Sequence, residues 1–246
     1  MHVLVTRPLE DATRTAQRLA TRGHRALIAP LLEVRSFDGT ELALDDVQAI
    51  LATSGNGIRA LARRSPRRDI AVFAVGTRTA AVACAEGFAR VLDAEGDAEA
   101  LAALVQRRLQ PHAGSLLHAT GADSQDDLHA LLERSGFRVR SCVLYEAHPV
   151  PFLGSAACEA LRDGSLDAVL IFSPRSARLL VERVREAGLA DSCGRLIACC
   201  ISQAAALMLQ DLDVGAIRVA ERPDQDSLIA LLDRPLPAML QDPAKT

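Results

Sequence analysis

The chain has 246 residues, 49% of them apolar and 24% charged, with a mean hydropathy of +0.13. Enough surface can be buried to offset ordering entropy, which excludes a disordered chain, and no uncharged apolar run of about 18 residues exists to span a membrane. A net charge of −3, a pI near 6.1 and 3% aromatics leave neither a basic field nor a stacking surface for nucleic acid.

The N-terminal MHVLVTRPLEDATR (1–14) meets an arginine and two acids before a signal core could form, so it reads as a first strand and the expected compartment is the cytoplasm. Residues 3–33 continue as strand, helix and strand. Leu9, Ala12, Ala16 and Leu19 fall on one helical face, and Gly23 stands where the residue after a helix needs positive φ. VRSFDGTELA (34–43) is a loop or one strand of a hinge. Residues 47–105 then run VQAILATSGNGIRAL, IAVFAVGTRTAAVACAEGF and ARVLDAEGDAEALAALV, each a short apolar strand, a small polar turn and a helix.

The second half repeats the first. LLHATGADSQDDLHALLERSGFRVRSCVLYE (116–146) parallels 3–33, with Gly136 opposite Gly23, Glu146 opposite Glu33, and Leu128, Leu131 and Leu132 on one face of its helix. EAHPVPFLGS (146–155) is a second joint of the same kind as 34–43. Residues 167–232 then parallel 47–105, matching Ser54 with Ser173, Gly76 with Ser202, Glu95 with Glu221 and Leu101 with Leu228. The tail (235–246) carries three prolines and reads as frayed and flexible.

This pattern predicts the α/β class, as two copies of a doubly wound parallel-sheet domain. In such sheets ligands bind beyond the carboxyl ends of the strands, where helices begin. The residues there are Thr53, Ser54, Gly55, Asn56 and Gly57; Gly76, Thr77, Arg78 and Thr79; Ser173, Pro174, Arg175 and Ser176; and Ser202 with Gln203. Helix N-termini offer unpaired N–H groups and partial positive charge, which suit carboxylate or phosphate. Plain capping is the competing account of each turn, and Ser173-Pro174 also reads as N-cap plus first-turn proline. Tyr145 stands where the first copy has Leu32. It is either a half-buried strand residue or a phenolic donor at the mouth between the copies.

No G-x-x-x-x-G-K-[ST] or G-x-G-x-x-G loop, H-E-x-x-H or C-x-x-C pair, or G-x-S-x-G elbow occurs, so the sequence carries no P-loop, dinucleotide fingerprint or metal-ligand spacing. The six cysteines read as free, buried and reduced. His112 and His118 read as surface or satisfied histidines, and Glu95 and Glu221 as first-turn or surface acids.

VLVTRP (3–8), PLLEV (30–34), ATSGNGIRAL (52–61), AVGTRTA (74–80), GDAEAL (96–101), the segment from Gly136 to LYEA (136–147), FSPRSA (172–177) and CISQAAALML around Ser202 occur in the order and spacing of a known family. Over about residues 2–232 the chain resembles the uroporphyrinogen-III synthases. It departs from them at Ser202 and Ala205, where relatives often carry glycine and threonine, and in the turn 118–127, where many are basic and this chain has Asp123, Asp126 and Asp127. The resemblance implies two flavodoxin-like domains joined by a two-stranded linker. Domain one would be 1–35 plus 152–246, and domain two 38–148; the repeat alone equally allows 1–113 and 114–246.

It further implies a lyase, a cytoplasmic monomer without metal, cofactor, nucleic-acid or membrane partner. Its small-molecule substrate would be the linear tetrapyrrole polycarboxylate hydroxymethylbilane, closed to uroporphyrinogen III with loss of water and inversion of ring D. In that family the tyrosine corresponding to Tyr145 lies in the cleft and is assigned to help hydroxide leave. Thr53, Ser54, Asn56, Gly57, Gly76, Thr79, Ser173, Pro174, Arg175, Ser176 and Ser202 become the substrate-binding set, with Thr79 and the Ser173–Ser176 turn the best matched. The alternative is a two-lobed small-anion binding or regulatory protein without catalysis. A receiver-like regulator would want acids after its first strand and a later lysine, where this chain has Thr6-Arg7-Pro8 and only Lys245.

Overall fold

The computed structural model describes residues 1–123 and 127–235. Residues 236–246 of the tail, and Asp126 of the acidic turn, lie outside the described residues.

The chain begins with β1 (His2–Val5), α1 (Leu9–Thr21), β2 (Arg25–Ile28) and β3 (Leu32–Ser36). There follow β4 (Val47–Ala52), α2 (Gly55–Arg64), β5 (Ala71–Ala74), α3 (Thr77–Ala85), β6 (Val91–Asp93) and α4 (Ala98–Arg108). Next come β7 (Ser115–Gly121), α5 (Asp127–Glu133), β8 (Val139–Pro149) and α6 (Ser155–Arg162). The last described stretch holds β9 (Ala168–Ile171), α7 (Pro174–Glu186), β10 (Ile197–Cys200), α8 (Gln203–Leu207), β11 (Ala216–Val219) and α9 (Gln225–Ala230).

These strands make two sheets. One has the order β11-β10-β9-β1-β2, and its neighbouring strands are parallel. The other has the order β3-β8-β7-β4-β5-β6, with parallel pairing from β8 through β6. The chain divides into a unit of Met1–Glu33 with His148–Thr246 and a unit of Val34–Ala147. The crossings fall inside β3 and β8, which neighbour each other, and Phe37 N–H donates to Leu144 O at 2.8 Å. That pairing draws residues 34–36 into the second unit rather than leaving them in the first.

The first sheet has the flavodoxin-like order 2-1-3-4-5. Under the internal repeat, β7, β8, β4, β5 and β6 stand for β1, β2, β9, β10 and β11, so the second sheet has the same spatial order. The chain enters that order at a different strand, which makes the two units circular permutants of one another.

Both faces of the second sheet are buried, as a parallel sheet requires. Along β4, Ile50 and Ala52 join one core with Val72, Leu117 and Ala119, while Ala49 and Leu51 join another with Phe73, Leu101, Val105 and Leu116. In the first unit Val3, Val5, Leu170, Ile197 and Cys199 share a core with Ala12 and Leu19 of α1. Gly23 (φ +76°) and Gly136 (φ +82°) take the left-handed conformation expected after their helices. One expectation changes: Leu9 is 63% exposed. The inner face of α1 is made instead by Asp11, Ala12, Thr15 and Leu19, because Asp11 is drawn inward by Arg7 at 3.2 Å.

All six cysteines are free thiols, but Cys84, expected inside, is exposed in the last turn of α3. Burial pushes the Cys193 thiol up to about 11 and those of Cys199 and Cys200 up to about 12. Only the thiolate attacks an alkylating reagent. Native protein treated with iodoacetamide near pH 8 should therefore lose Cys84 first and leave Cys193, Cys199 and Cys200 unmodified, read by peptide mass mapping. The unfolded chain releases these thiol protons near about 8.5, so stability should fall as pH rises through that value. Early labelling of Cys199 would show that β10 opens to solvent.

Candidate active site

Parallel strands bring every carboxyl end, and the start of every following helix, to one edge of each sheet. In the unit of residues 34–147 that edge carries the first two predicted turns. Ser54 caps α2, its Oγ accepting the Asn56 N–H at 3.1 Å, and Asn56 Oδ1 accepts from Arg59 Nη1 at 2.9 Å. Gly57 faces inward: a β-carbon there would stand 2.3 Å from the Ala119 carbonyl oxygen of β7. Its missing side chain lets α2 lie directly on the sheet. Gly76 precedes α3 with no side-chain cap, and a β-carbon there would meet nothing within 4 Å. Thr77 and Arg78 are exposed in this first turn, whereas Thr79 is buried.

Thr53 reaches the other way. Its Oγ1 lies 3.2 Å from His118 Nε2 on β7, and His118 Nδ1 lies 3.2 Å from His129 Nε2 on α5. Ser141 Oγ closes the series 3.0 Å from His129 Nε2. His118 is a satisfied histidine, but at 1% exposure it is no surface group.

Tyr145 lies on β8, half-buried, packed against the core that contains Leu117, Ala119 and Leu144. Its carbonyl accepts the Ala122 N–H at 2.9 Å. Among the described residues nothing hydrogen-bonds its hydroxyl. The phenol thus has an apolar body fixed in the core and a polar tip free at the carboxyl edge of its sheet.

The unit of Met1–Glu33 with His148–Thr246 builds the matching edge. Ser173 caps α7, its Oγ accepting the Ser176 N–H at 3.1 Å and lying 2.8 Å from Ser176 Oγ. Pro174 fills the first helical position and Arg175 is half-buried. Ser202 Oγ accepts the Ala205 N–H at 3.3 Å. Capping therefore occupies the hydroxyls of Ser54, Ser173 and Ser202, and the groups these turns can present to an anion are chiefly N–H. Two aspartates close the third pair of turns: Asp97 accepts from Glu99 and Ala100, and Asp224 from Ser227. The Ser227 N–H holds the Asp224 carboxyl below the usual carboxylate range.

Arg7, two residues beyond β1, is a buried charge at this edge that the turn pattern does not reveal. It is 8% exposed. Its guanidinium pairs with Asp11 at 3.2 Å, donates to Gln225 Oε1 at 3.1 Å and lies 4.1 Å above the Phe172 ring. Gln225 Nε2 in turn donates to Thr15 Oγ1 at 3.3 Å. The one cation thus ties β1, α1, β9 and α9 together below the turns. Among the described residues no group of three or more His, Cys, Asp or Glu side chains is placed to hold a metal ion, and no helix is long and apolar enough to cross a membrane.

The family model for uroporphyrinogen-III synthase HemD matches residues 13–230. The chain belongs to the uroporphyrinogen-III synthase family. Among solved structures it is similar to uroporphyrinogen-III synthetase from Helicobacter pylori, with 18% identity, a TM-score of 0.64, and coverage of 94% of this chain and 97% of that one. It also aligns with uroporphyrinogen III synthase from Thermus thermophilus at 20% identity and a TM-score of 0.40, covering 95% of this chain and 97% of that one. No curated protein matches. The family's place is porphyrin and heme biosynthesis, and its substrates are tetrapyrroles.

The geometry separates packing from binding at these turns. Gly57→Ala should destabilise the protein by about 1–3 kcal/mol through overpacking against β7. Ser173→Ala should cost about 1 kcal/mol for the lost cap. Urea unfolding measures both, and a neutral Gly57→Ala would mean that α2 stands further from β7 than the Ala119 carbonyl places it.

Proposed function

We propose that this chain closes hydroxymethylbilane to uroporphyrinogen III, expelling water and inverting ring D. The observation that carries this reading is the family match, which extends through both units of the chain. The Tyr145 hydroxyl, unpartnered among the described residues, supports it, because loss of water needs a proton donor and little else. An electron-rich pyrrole expels its neighbouring hydroxyl once that oxygen is protonated; the C–O bond breaks and water departs. Inversion forms the ring-closing bond at the ring D carbon that already holds its neighbour, breaks that older C–C bond and re-forms it at the free α-carbon of ring D, which loses a proton, so bonds and protons balance. No electron changes hands, and the reaction calls for no redox cofactor.

In this reading Tyr145 donates the proton. The substrate's acetate and propionate groups go to the turns at Thr53, Ser54 and Asn56, at Gly76 and Thr79, at Ser173–Ser176 and at Ser202. Backbone N–H groups suit that task on an acidic protein, since they bind carboxylates without a basic surface. Holding the chain so that ring inversion outruns direct closure is catalysis by positioning, which demands few side chains. The same reading makes the protein a lyase working as a cytoplasmic monomer.

Purified protein given hydroxymethylbilane, with the products oxidised and separated, should yield the type III porphyrin. Type I product alone, formed at the spontaneous rate, would overturn the reading. Tyr145→Phe should lower the single-turnover rate about tenfold to a hundredfold while product affinity stays nearly unchanged. Thr79→Ala and Ser176→Ala should instead weaken product binding by about 0.5–1.5 kcal/mol each. Full activity in Tyr145→Phe would remove the proton-donor role and leave positioning by the backbone alone.

A further inference from the structure

We propose that Gly121 is a positioning residue for Tyr145: a break in strand register sets the two opposite each other, and the missing β-carbon is the seat of the phenol ring. This rests on the reading of Tyr145 as the proton donor.

The register comes first. β7 and β8 pair Leu116 with Val139 and run regularly to Thr120 with Val143; the next partners are Gly121 and Tyr145, with Leu144 passed over. Side chains alternate between the faces of a strand, so one extra residue re-aims everything beyond it. Leu144 is fully buried, its carbonyl accepts from Phe37 N–H, and Tyr145 moves into the place opposite Gly121. The Ala122 N–H then donates to the Tyr145 carbonyl at 2.9 Å, holding the shifted register past the break.

The space comes second. A β-carbon on Gly121 would lie 2.7 Å from Tyr145 Cζ, 2.8 Å from Cε2 and 3.0 Å from the hydroxyl oxygen. All three atoms are at the far end of the ring, beside the group that reacts. Gly121 is not among the glycines with positive φ, so its backbone conformation is open to any residue. The position requires glycine for room alone. When that room is taken, the side chain can give way by rotating, and the hydroxyl moves with it.

The internal repeat supplies a control. The counterparts of Gly121 and Tyr145 are Pro8 and Leu32, so both positions change together between the copies. The strands that correspond to β7 and β8 are paired only from His2 with Arg25 to Val5 with Ile28, so that ladder ends before it reaches the place of the break. Glycine and tyrosine occur together in one copy and are replaced together in the other.

The protein has one tyrosine and no tryptophan, so its intrinsic emission reports on Tyr145 alone. Gly121→Ala should keep its circular dichroism and alter the tyrosine emission and its quenching by acrylamide. Its single-turnover rate should fall about tenfold with KM little changed. In a Tyr145→Phe background, where no hydroxyl remains to misplace, the same substitution should change the rate by less than about twofold. Equal losses in the two backgrounds, or emission identical to the parent protein, would overturn the proposal. If Gly121→Ala fails to fold, Gly121→Ala with Tyr145→Leu decides, since removal of the ring should restore a parent-like melt; a double variant that still fails would assign Gly121 to the backbone. Should the parent protein make no type III product, the proton-donor reading falls, and emission and melting still decide the seat.

Discussion

A parallel strand cannot turn straight back into its neighbour; each must be followed by a crossover that returns the chain to the edge where it started. That constraint organises both units. It puts the ends of β4 to β7 in one, and of β1 and β9 to β11 in the other, beside the starts of the helices that follow them. The turns at Ser54–Gly57, Gly76–Thr79, Ser173–Ser176 and Ser202 are gathered at such edges because the sheets are parallel, before any side chain is chosen for function. A polyanion can therefore be met by backbone, and a chain of net charge −3 can still present positive ends.

Three side chains depart from this regularity. Arg7 is buried under the first edge rather than displayed on it, held by Asp11 and Gln225. Its guanidinium links the chain after β1 to α1 and α9. His118 is likewise committed to Thr53 and His129. Tyr145 differs in kind: its ring packs against the core, and among the described residues its hydroxyl has no hydrogen-bond partner.

Much of the fold was legible because it is periodic. The strand–turn–helix alternation, the two halves of the repeat, and Gly23 and Gly136 after their helices follow from local spacing and local φ. The serine caps follow from the same local rules, and the rival account of those turns as plain capping describes the Ser54, Ser173 and Ser202 hydroxyls. Long-range pairing is not written in local spacing. The repeat alone does not say that β1 bonds to β9, nor that an inward Asp11 would leave Leu9 in solvent. Gly57 looks like a loop glycine at a ligand edge until the Ala119 carbonyl is seen above it. Gly121 carries no signal at all until the register of β7 with β8 is known. Tyr145 could be singled out only as a departure from Leu32.

The pairing of β1 with β9 also sets the order in which the molecule can be assembled. As the chain leaves the ribosome, β1, α1 and β2 appear before the inserted unit, yet β1 lies between β2 and β9, and β9 does not begin until Ala168. All the strands of the Val34–Ala147 unit, apart from the ends of β3 and β8 that cross its boundary, are made in the interval. The inserted unit can therefore close while the first three elements still expose Val3, Val5 and Leu19, which have no core to join. A contact spanning so much sequence forms late and slowly, and the waiting segment is open to aggregation or to a chaperone meanwhile. The discontinuous plan thus makes β1, α1 and β2, synthesised before the inserted unit, among the last elements to find their place.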